Sequence, residues 1–476
     1  MAPFRGIISA IRAMPDPRDN VYTAMGDKSA HFKSGTLLAL NDVVEFDADA
    51  IGRDSQQPFI EKVSVVCTAS PEDLKSRIDA ISDMIMKASD SAALDRLLSG
   101  HAEMLSCAAG MRDGLLQCAR AFAGALASGA PIIVRFHNDG DGSTGAIALY
   151  RAVNLLQSGI SLNPRGVIWK MQRGIAYDDE SMYDDILHFN QYASAVRPIV
   201  TIIDFGTSPE SEPAIYGSEG RYDFIWLDHH PPYKGFPASM IKFYLNPWDF
   251  NGNSDFTAGA LACSFATVLH ECGARELLEA SLVSDYSAYA DYGDRNAQDM
   301  ALVLDFLTSG SRAHGLMGMT PKTFSEILGN QKRYSEALFS ARNMLDEALE
   351  IGMKSAKRYR NGHGFNIYAL DFGHIAEMGK GYPLPGRFSS RLQWAFEKSN
   401  GGRTITIVHY GNYISLRESG DIVAKVKILD VVNELKAACQ YVESGGGHNE
   451  AASMRVPKEH TEYVMKLLLK HLGVDA

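Results

Sequence analysis

Between residues 130 and 227 short apolar runs recur, each bounded by turn residues and separated from the next by segments with helical spacing. Residues 131–136, 198–203 and 223–227 are too short for helices. Their near-continuous apolar character suits strands buried on both faces rather than strands with one wet side. Strand, loop and helix in repeated order predict an α/β protein built on a mainly parallel sheet, with helices such as 145–156 covering it. Around this core lie a β-rich stretch over 1–68, read as a small barrel of the OB kind, and helical periodicity from 71 to 128. Ser70-Pro71-Glu72-Asp73 is a good helix start, with Ser as cap, Pro in the first turn and acids behind it. We divide the chain into a β-rich segment 1–68, a catalytic domain with leading helices 69–310, a helical linker 311–362 and a smaller α/β domain 363–476. One long helix over 334–360 is expected to end the linker in the basic residues Lys354, Lys357, Arg358 and Arg360.

Each predicted strand ends in acid or imidazole. The first runs into His137-Asn138-Asp139-Gly140-Asp141-Gly142, where the glycines permit a sharp loop. The second ends in Asp204, and the third in Asp228-His229-His230-Pro231. A fourth cluster, around Asp291 and Asp294, falls at a turn in a largely helical region. Taken singly, each has a bland explanation as a capping or solvated turn. Taken together they place Asp139, Asp141, Asp204 and Asp228 with His137, His229 and His230 at the carboxyl ends of parallel strands, where α/β sheets bind ligands, and add Asp291 from the helical turn. That much negative charge needs cations. Carboxylate with imidazole suits Mn²⁺ or Mg²⁺ better than thiolate-seeking metals. Two such ions can neutralise the charge that develops in an in-line phosphoryl displacement.

Composition narrows the setting. Six cysteines occur without a C-x-x-C pair, which argues against a disulfide framework or zinc ribbon and fits a reducing compartment. With no long apolar span and no signal-like leader, the reading is a soluble, cytoplasmic protein. The net charge of −11 by itself counts against a nucleic-acid partner. It is unevenly spread: residues 311–476 carry 22 Lys+Arg against 17 Asp+Glu, whereas 1–310 carry 24 against 40. An acidic front half suits metal binding, and a mildly basic back half suits a phosphate backbone.

The order H-x-D-x-D-G, strand-ending Asp, D-H-H and a later Asp resembles the DHH phosphoesterases over residues 130–300 or so. Near the C-terminus, Gly445-Gly446-Gly447-His448-Asn449-Glu450-Ala451-Ala452 resembles the GGGHxxAA motif of the DHHA1 domain that follows DHH domains. The likeness is greatest to RecJ-like members of archaeal type. By that resemblance His137 and Asp139 hold one metal ion, Asp141, His229 and Asp291 hold the other, and Asp204 bridges them. Asp228 orients a neighbouring imidazole, and His230 faces the scissile phosphate. In the second domain Ser415, Arg417 and Ser419 resemble the family's S-x-R-x-S strand. Arg417 there clamps a phosphate beside the Gly445, Gly446 and Gly447 backbone and His448. Two positions depart from the pattern: Ser453 replaces the glycine that usually closes GGGHxxAAG, and Gly140 replaces a common alanine.

The resemblance implies a phosphodiester hydrolase using two divalent ions, Mn²⁺ preferred and Mg²⁺ second. The added N-terminal segment, the basic linker end, and Lys380, Arg387, Arg391, Lys398 and Arg403 favour a polymeric substrate. Tyr233 and Trp248 are candidates for stacking bases. The expectation is a single-strand-specific exonuclease on DNA or RNA. The alternatives are a phosphodiesterase for oligoribonucleotides, nucleotides or cyclic dinucleotides, and a replication scaffold docking on GINS. The scaffold reading predicts eroded metal ligands, and every ligand position here is filled.

Overall fold

The computed structural model describes residues 3–26, 29–47, 58–87, 92–159, 166–284, 295–309, 319–360, 364–378, 382–400, 403–419, 422, 426–447 and 450–474. The chain forms two compact units, Met1–Ser287 with Thr320–Thr323, and Ala288–Met319 with Phe324–Ala476.

The first unit is organised by a five-stranded sheet in which every neighbouring pair is parallel. Its spatial order is Phe243–Leu245, Asp223–Leu227, Ile199–Ile203, Ile132–His137 and Val167–Gln172. The three central strands are the apolar runs read from the sequence. The two edges carry weaker signals, one being only three residues long and the other containing Lys170 and Gln172. On one face the helices Gly140–Gly159, Ala258–Leu269 and Arg275–Ser284 pack together. On the other an aromatic cluster forms around Trp226, Phe224, Tyr177, Tyr222 and Phe189.

The N-terminal residues form a mixed sheet of seven strands. It runs from Phe59–Ile60 at one edge through Ser29–Ser34, Val21–Met25, Phe4–Arg12 and Asp42–Phe46 to Ser64–Thr68. The seventh strand, Tyr192–Ser194, comes from the middle of the parallel-sheet region and pairs antiparallel with Phe4–Arg12. Ser70 starts the helix Pro71–Lys87 as expected: its Oγ accepts the Asp73 N–H at 3.1 Å, and Asp73 reaches back to the Ser70 hydroxyl and N–H.

The second unit has a six-stranded mixed sheet: Lys357–Arg360, Asn366–Asp371, Thr404–Tyr410, Tyr413–Glu418, Ala451–Arg455 and Ser444–Gly447 in spatial order. Strand alternation separates two cores. Ile367, Ile405, Ile407, Ile414 and Leu416 face the helices Ile428–Ala438 and Thr461–His471, while Tyr368, Leu370 and Val408 face Phe388, Leu392 and Phe396 of the helix Pro385–Asn400.

The expected single helix over 334–360 is corrected here. Helix Gln331–Ser355 stops at Ala356, whose backbone is extended, and Lys357–Arg360 forms an edge strand antiparallel to Asn366–Asp371. Lys and Arg are good helix formers, so propensity argues for continuation. Sheet pairing instead satisfies these backbone groups and turns Tyr359 toward the core, leaving Lys357, Arg358 and Arg360 exposed. Among the described residues no helix is long and apolar enough to cross a membrane. Of the six free cysteines five are buried, and Cys67 is exposed.

Candidate metal centre

His137 is the last residue of its strand, and helix Gly140–Gly159 begins three residues later. The loop expected between the strand 131–136 and a helix starting at 145 is therefore almost absent. Asp139 caps the helix, its Oδ1 accepting the Gly142 N–H at 3.0 Å, while Oδ2 lies 2.7 Å from His137 Nδ1. Capping and ligand reading thus coexist in one carboxylate. Gly142 is required for close approach rather than for a turn: a Cβ there would lie 2.6 Å from the His137 carbonyl oxygen.

Asp204 ends the neighbouring strand and is 3% exposed. Its φ of 69° is left-handed, a conformation Asp tolerates better than most residues but one held at a local cost. One carboxylate oxygen lies 3.6 Å from His137 Nδ1, and the other lies 3.4 Å from His229 Nε2. Two groups capable of holding a metal ion share this residue: His137, Asp139 and Asp204, and Asp204, His229 and His230.

Asp228 closes the third strand and is fully buried. It accepts the N–H groups of His229 at 2.8 Å, His230 at 3.2 Å and Thr207 at 3.1 Å, and its Oδ1 lies 2.7 Å from His230 Nδ1. With Nδ1 so engaged, Nε2 becomes the His230 nitrogen that faces a ligand. His229 Nδ1 donates to the Ser254 carbonyl at 2.8 Å, which turns Nε2 toward Asp204. Trp248, half-exposed, donates its indole N–H to the His229 carbonyl at 3.1 Å. Tyr233 donates to Glu212 at 3.1 Å.

Asp141 is 2% exposed and sits at the N-terminus of helix Ala258–Leu269. Its oxygens accept the N–H groups of Ala258 and Gly259, each at 3.0 Å, and Oδ2 is 3.9 Å from His229 Nε2. Asp291 and His448 lie outside the described residues.

The electrostatics follow from burial and proximity. Burial pulls the His137 imidazole down, but the Asp139 and Asp204 carboxylates outweigh it and hold the ring well above its ordinary value. Burial and the Asp139 charge push the Asp204 carboxyl up. Asp139 and Asp228 are held well below the usual range: their burial is overcome by His137 and His230 respectively. Oxygen and imidazole donors with repelling carboxylates form a set that hard divalent cations fit. Asp228→Asn should lower any hydrolysis about 10–100-fold by freeing His230 while leaving Mn²⁺ stoichiometry unchanged, because it touches orientation rather than ligation. Steady-state assay beside metal titration checks this; loss of metal binding would contradict it.

In the second unit, Ser415, Arg417 and Ser419 project toward helix Pro385–Asn400. Arg417 donates to the Ser390 and Ser415 hydroxyls at 3.0 and 3.2 Å. Ser419 is buried, and its hydroxyl is held by the Thr404 backbone and Gln393. Gly445–Gly447 pair with Ala452–Met454 in an edge hairpin, one strand removed from Arg417. Arg387, counted among the charges that favour a polymeric substrate, is ion-paired with Asp305, which is 2% exposed. Lys398 stacks over the Trp394 ring at 4.6 Å, and Lys380 lies outside the described residues.

Glu418, on the core face of this strand, is fully buried. Burial pushes its carboxyl up to about 8, tempered by the Ile428 N–H and reinforced by Glu450. A carboxyl raised in the folded state keeps a proton that the unfolded chain releases, so the contribution of Glu418 to stability is most favourable at and below about pH 4.5 and is lost as pH rises toward 8. Calorimetry should show the melting temperature declining over that range, with Glu418→Gln flattening the profile and raising the pH 8 value by several degrees. A flat wild-type profile would contradict it.

Known structures share the fold of this chain. A member of the S1p family of ribosomal proteins, described as a DHH domain, superposes with a TM-score of 0.67 at 20% identity, covering 84% of this chain and 98% of that one. The chain carries the DHH-domain fold. RecJ from Thermus thermophilus, solved in complex with Mn²⁺, superposes on this chain with a TM-score of 0.51 at 14% identity, covering 82% of this chain and 60% of that one. An uncharacterized protein of Methanocaldococcus jannaschii is 26% identical over 222 residues, 43% of this chain and 28% of that protein. The chain thus matches less than a third of that relative's length. No protein-family model matches the sequence.

Two features escaped sequence reading. The first is a buried ion network at Arg135, signalled only by a lone arginine inside an apolar strand. Arg135 makes a bidentate pair with Asp185 at 2.8 and 2.7 Å, and both are buried. The second is the Ser281 hydroxyl behind Asp141, for which the sequence carries no signal.

Proposed function

We propose that this protein is a divalent-cation-dependent phosphodiesterase, a RecJ-like exonuclease acting on single-stranded DNA or RNA. The observation that carries the reading is Asp204, one buried carboxylate directing an oxygen to each of two His/Asp clusters at adjacent strand ends. Two bound cations would supply an activated water and neutralise charge on the transferring phosphoryl group. Mn²⁺ is preferred and Mg²⁺ second, in keeping with the donor set and with the Mn²⁺ complex of the RecJ it resembles.

The chain's own residues have distinct tasks in this reading. His137 and Asp139 form one ligand cluster, His229 with Asp141 and Asp291 the other, and Asp204 joins them. His230, its ring fixed through Nδ1 by Asp228, turns Nε2 to a phosphate oxygen as a hydrogen-bond donor. The second unit is read as the DHHA1 domain, with Arg417 gripping a further phosphate and the Gly445–Gly447 hairpin beside it. The N-terminal sheet is read as an accessory surface of the OB kind for the same strand.

The deciding experiment is hydrolysis with Mn²⁺ of end-labelled single-stranded DNA and RNA 20-mers beside a dinucleotide. Ladders growing from one end of a 20-mer are expected. Cleavage of the dinucleotide alone would replace the polymer reading with a short-substrate phosphodiesterase, and no cleavage of any substrate would overturn the enzyme reading.

A further inference from the structure

We propose that Ser281 is a positioning residue for the metal centre, holding the Asp141 carboxylate through a hydroxyl relay that starts at Thr257. This rests on the metal-dependent reading above. Asp141, Thr257 and Ser281 are all buried, with Ser281 and Thr257 wholly inaccessible. Thr257 caps helix Ala258–Leu269, its Oγ1 accepting the Ala260 N–H at 3.3 Å. The same hydroxyl is hydrogen-bonded to Ser281 Oγ, and Ser281 Oγ to Asp141 Oδ1. An ionised carboxylate only accepts, so proton order along the chain is set: Ser281 donates to Asp141, and Thr257 donates to Ser281.

The relay divides the two carboxylate oxygens. Oδ1 receives both the Gly259 N–H and the Ser281 hydroxyl, while Oδ2 receives the Ala258 N–H and lies on the side of His229. Rotation of the carboxylate would break the Oδ1 bonds together, so Oδ2 is kept toward the centre. Gly259 makes this approach possible, since a Cβ there would lie 2.7 Å from Asp141 Oδ1 and 2.4 Å from the Asp141 carbonyl oxygen. Ser281 otherwise occupies a helix whose buried neighbours are Leu277, Leu278, Ala280, Leu282 and Val283. Packing alone would accept alanine there. The hydroxyl is explained by its acceptor.

The test is calorimetric titration of the full chain with Mn²⁺, for wild type, Ser281→Ala and Ser281→Cys, with metal-free melting measured alongside. Loss of the donor should weaken Mn²⁺ binding about 10–100-fold in Ser281→Ala, the range for outer partners of metal ligands, with melting changed by only a few degrees. Ser281→Cys, nearly isosteric but a weaker donor, should bind several-fold more weakly than wild type, and it carries the test if the alanine variant does not fold. Wild-type affinity in either variant, or lowered melting without lowered affinity, overturns the relay while leaving the phosphodiesterase reading intact. Failure of wild type to bind Mn²⁺ would overturn both together.

Discussion

Asp204→Asn should abolish metal-dependent hydrolysis, by about a thousandfold or more, without destabilising the metal-free protein. A thousandfold loss corresponds to about 4 kcal/mol of transition-state stabilisation, the scale expected when a ligand common to both ions is removed. Asparagine is the informative replacement. It tolerates the left-handed backbone at φ 69°, where alanine would add strain, and it preserves shape while removing charge. Burial and the Asp139 charge both disfavour ionised Asp204, so the amide relieves repulsion that the apo protein otherwise carries. Melting in chelator should therefore be unchanged or higher, and Mn²⁺ titration should lose sites. Retained Mn²⁺-dependent turnover would remove Asp204 from the centre and with it the observation on which the proposed function stands. Lost turnover with a large fall in chelated stability would mark Asp204 as structural instead.

How much of this was legible depended on whether one residue type had one purpose. The central strands were readable because a strand buried on both faces leaves little room for polar residues until it ends, so Asp204 and Asp228 announce the boundaries. The edges were not: Val167–Gln172 mixes apolar and polar positions, and Phe243–Leu245 is too short for any period to register. Lys357–Arg360 misled because basic residues favour helix locally, whereas the decisive partner, Asn366–Asp371, is fixed only in three dimensions. The candidate ligands other than Asp291 were visible as a list of strand ends. Their orientation was not, because Ser254, Thr257 and Ser281 act through hydrogen bonds across up to 140 residues. Arg387 shows the converse: a basic residue counted toward a phosphate surface is paired with buried Asp305.

Arg135→Met should destabilise the first unit by about 3–5 kcal/mol, because it leaves Asp185 charged and buried without its principal partner. Arg135 lies two residues before His137 in the same strand. Besides its paired bonds to Asp185, it donates to the Ser181 carbonyl at 3.0 Å and to Asp184 at 2.9 Å, and lies 5.8 Å above the Tyr177 ring. Lys170 and the Tyr177 hydroxyl also reach Asp185, at 2.9 and 3.0 Å. The group clasps helix Asp179–Phe189 against the strand that delivers His137 and Asp139. Lys170 remains in Arg135→Met, but a single flexible ammonium cannot reproduce the planar fork. The double variant Arg135→Met with Asp185→Asn removes both charges and should recover much of the loss, giving a large coupling in a double-mutant cycle. Denaturant unfolding of the four proteins measures it. Additive losses would mean that the two residues stabilise the fold independently. Recovery in the double variant, with Mn²⁺ affinity restored alongside stability, would show that the clasp supports the metal centre by holding its strand in place.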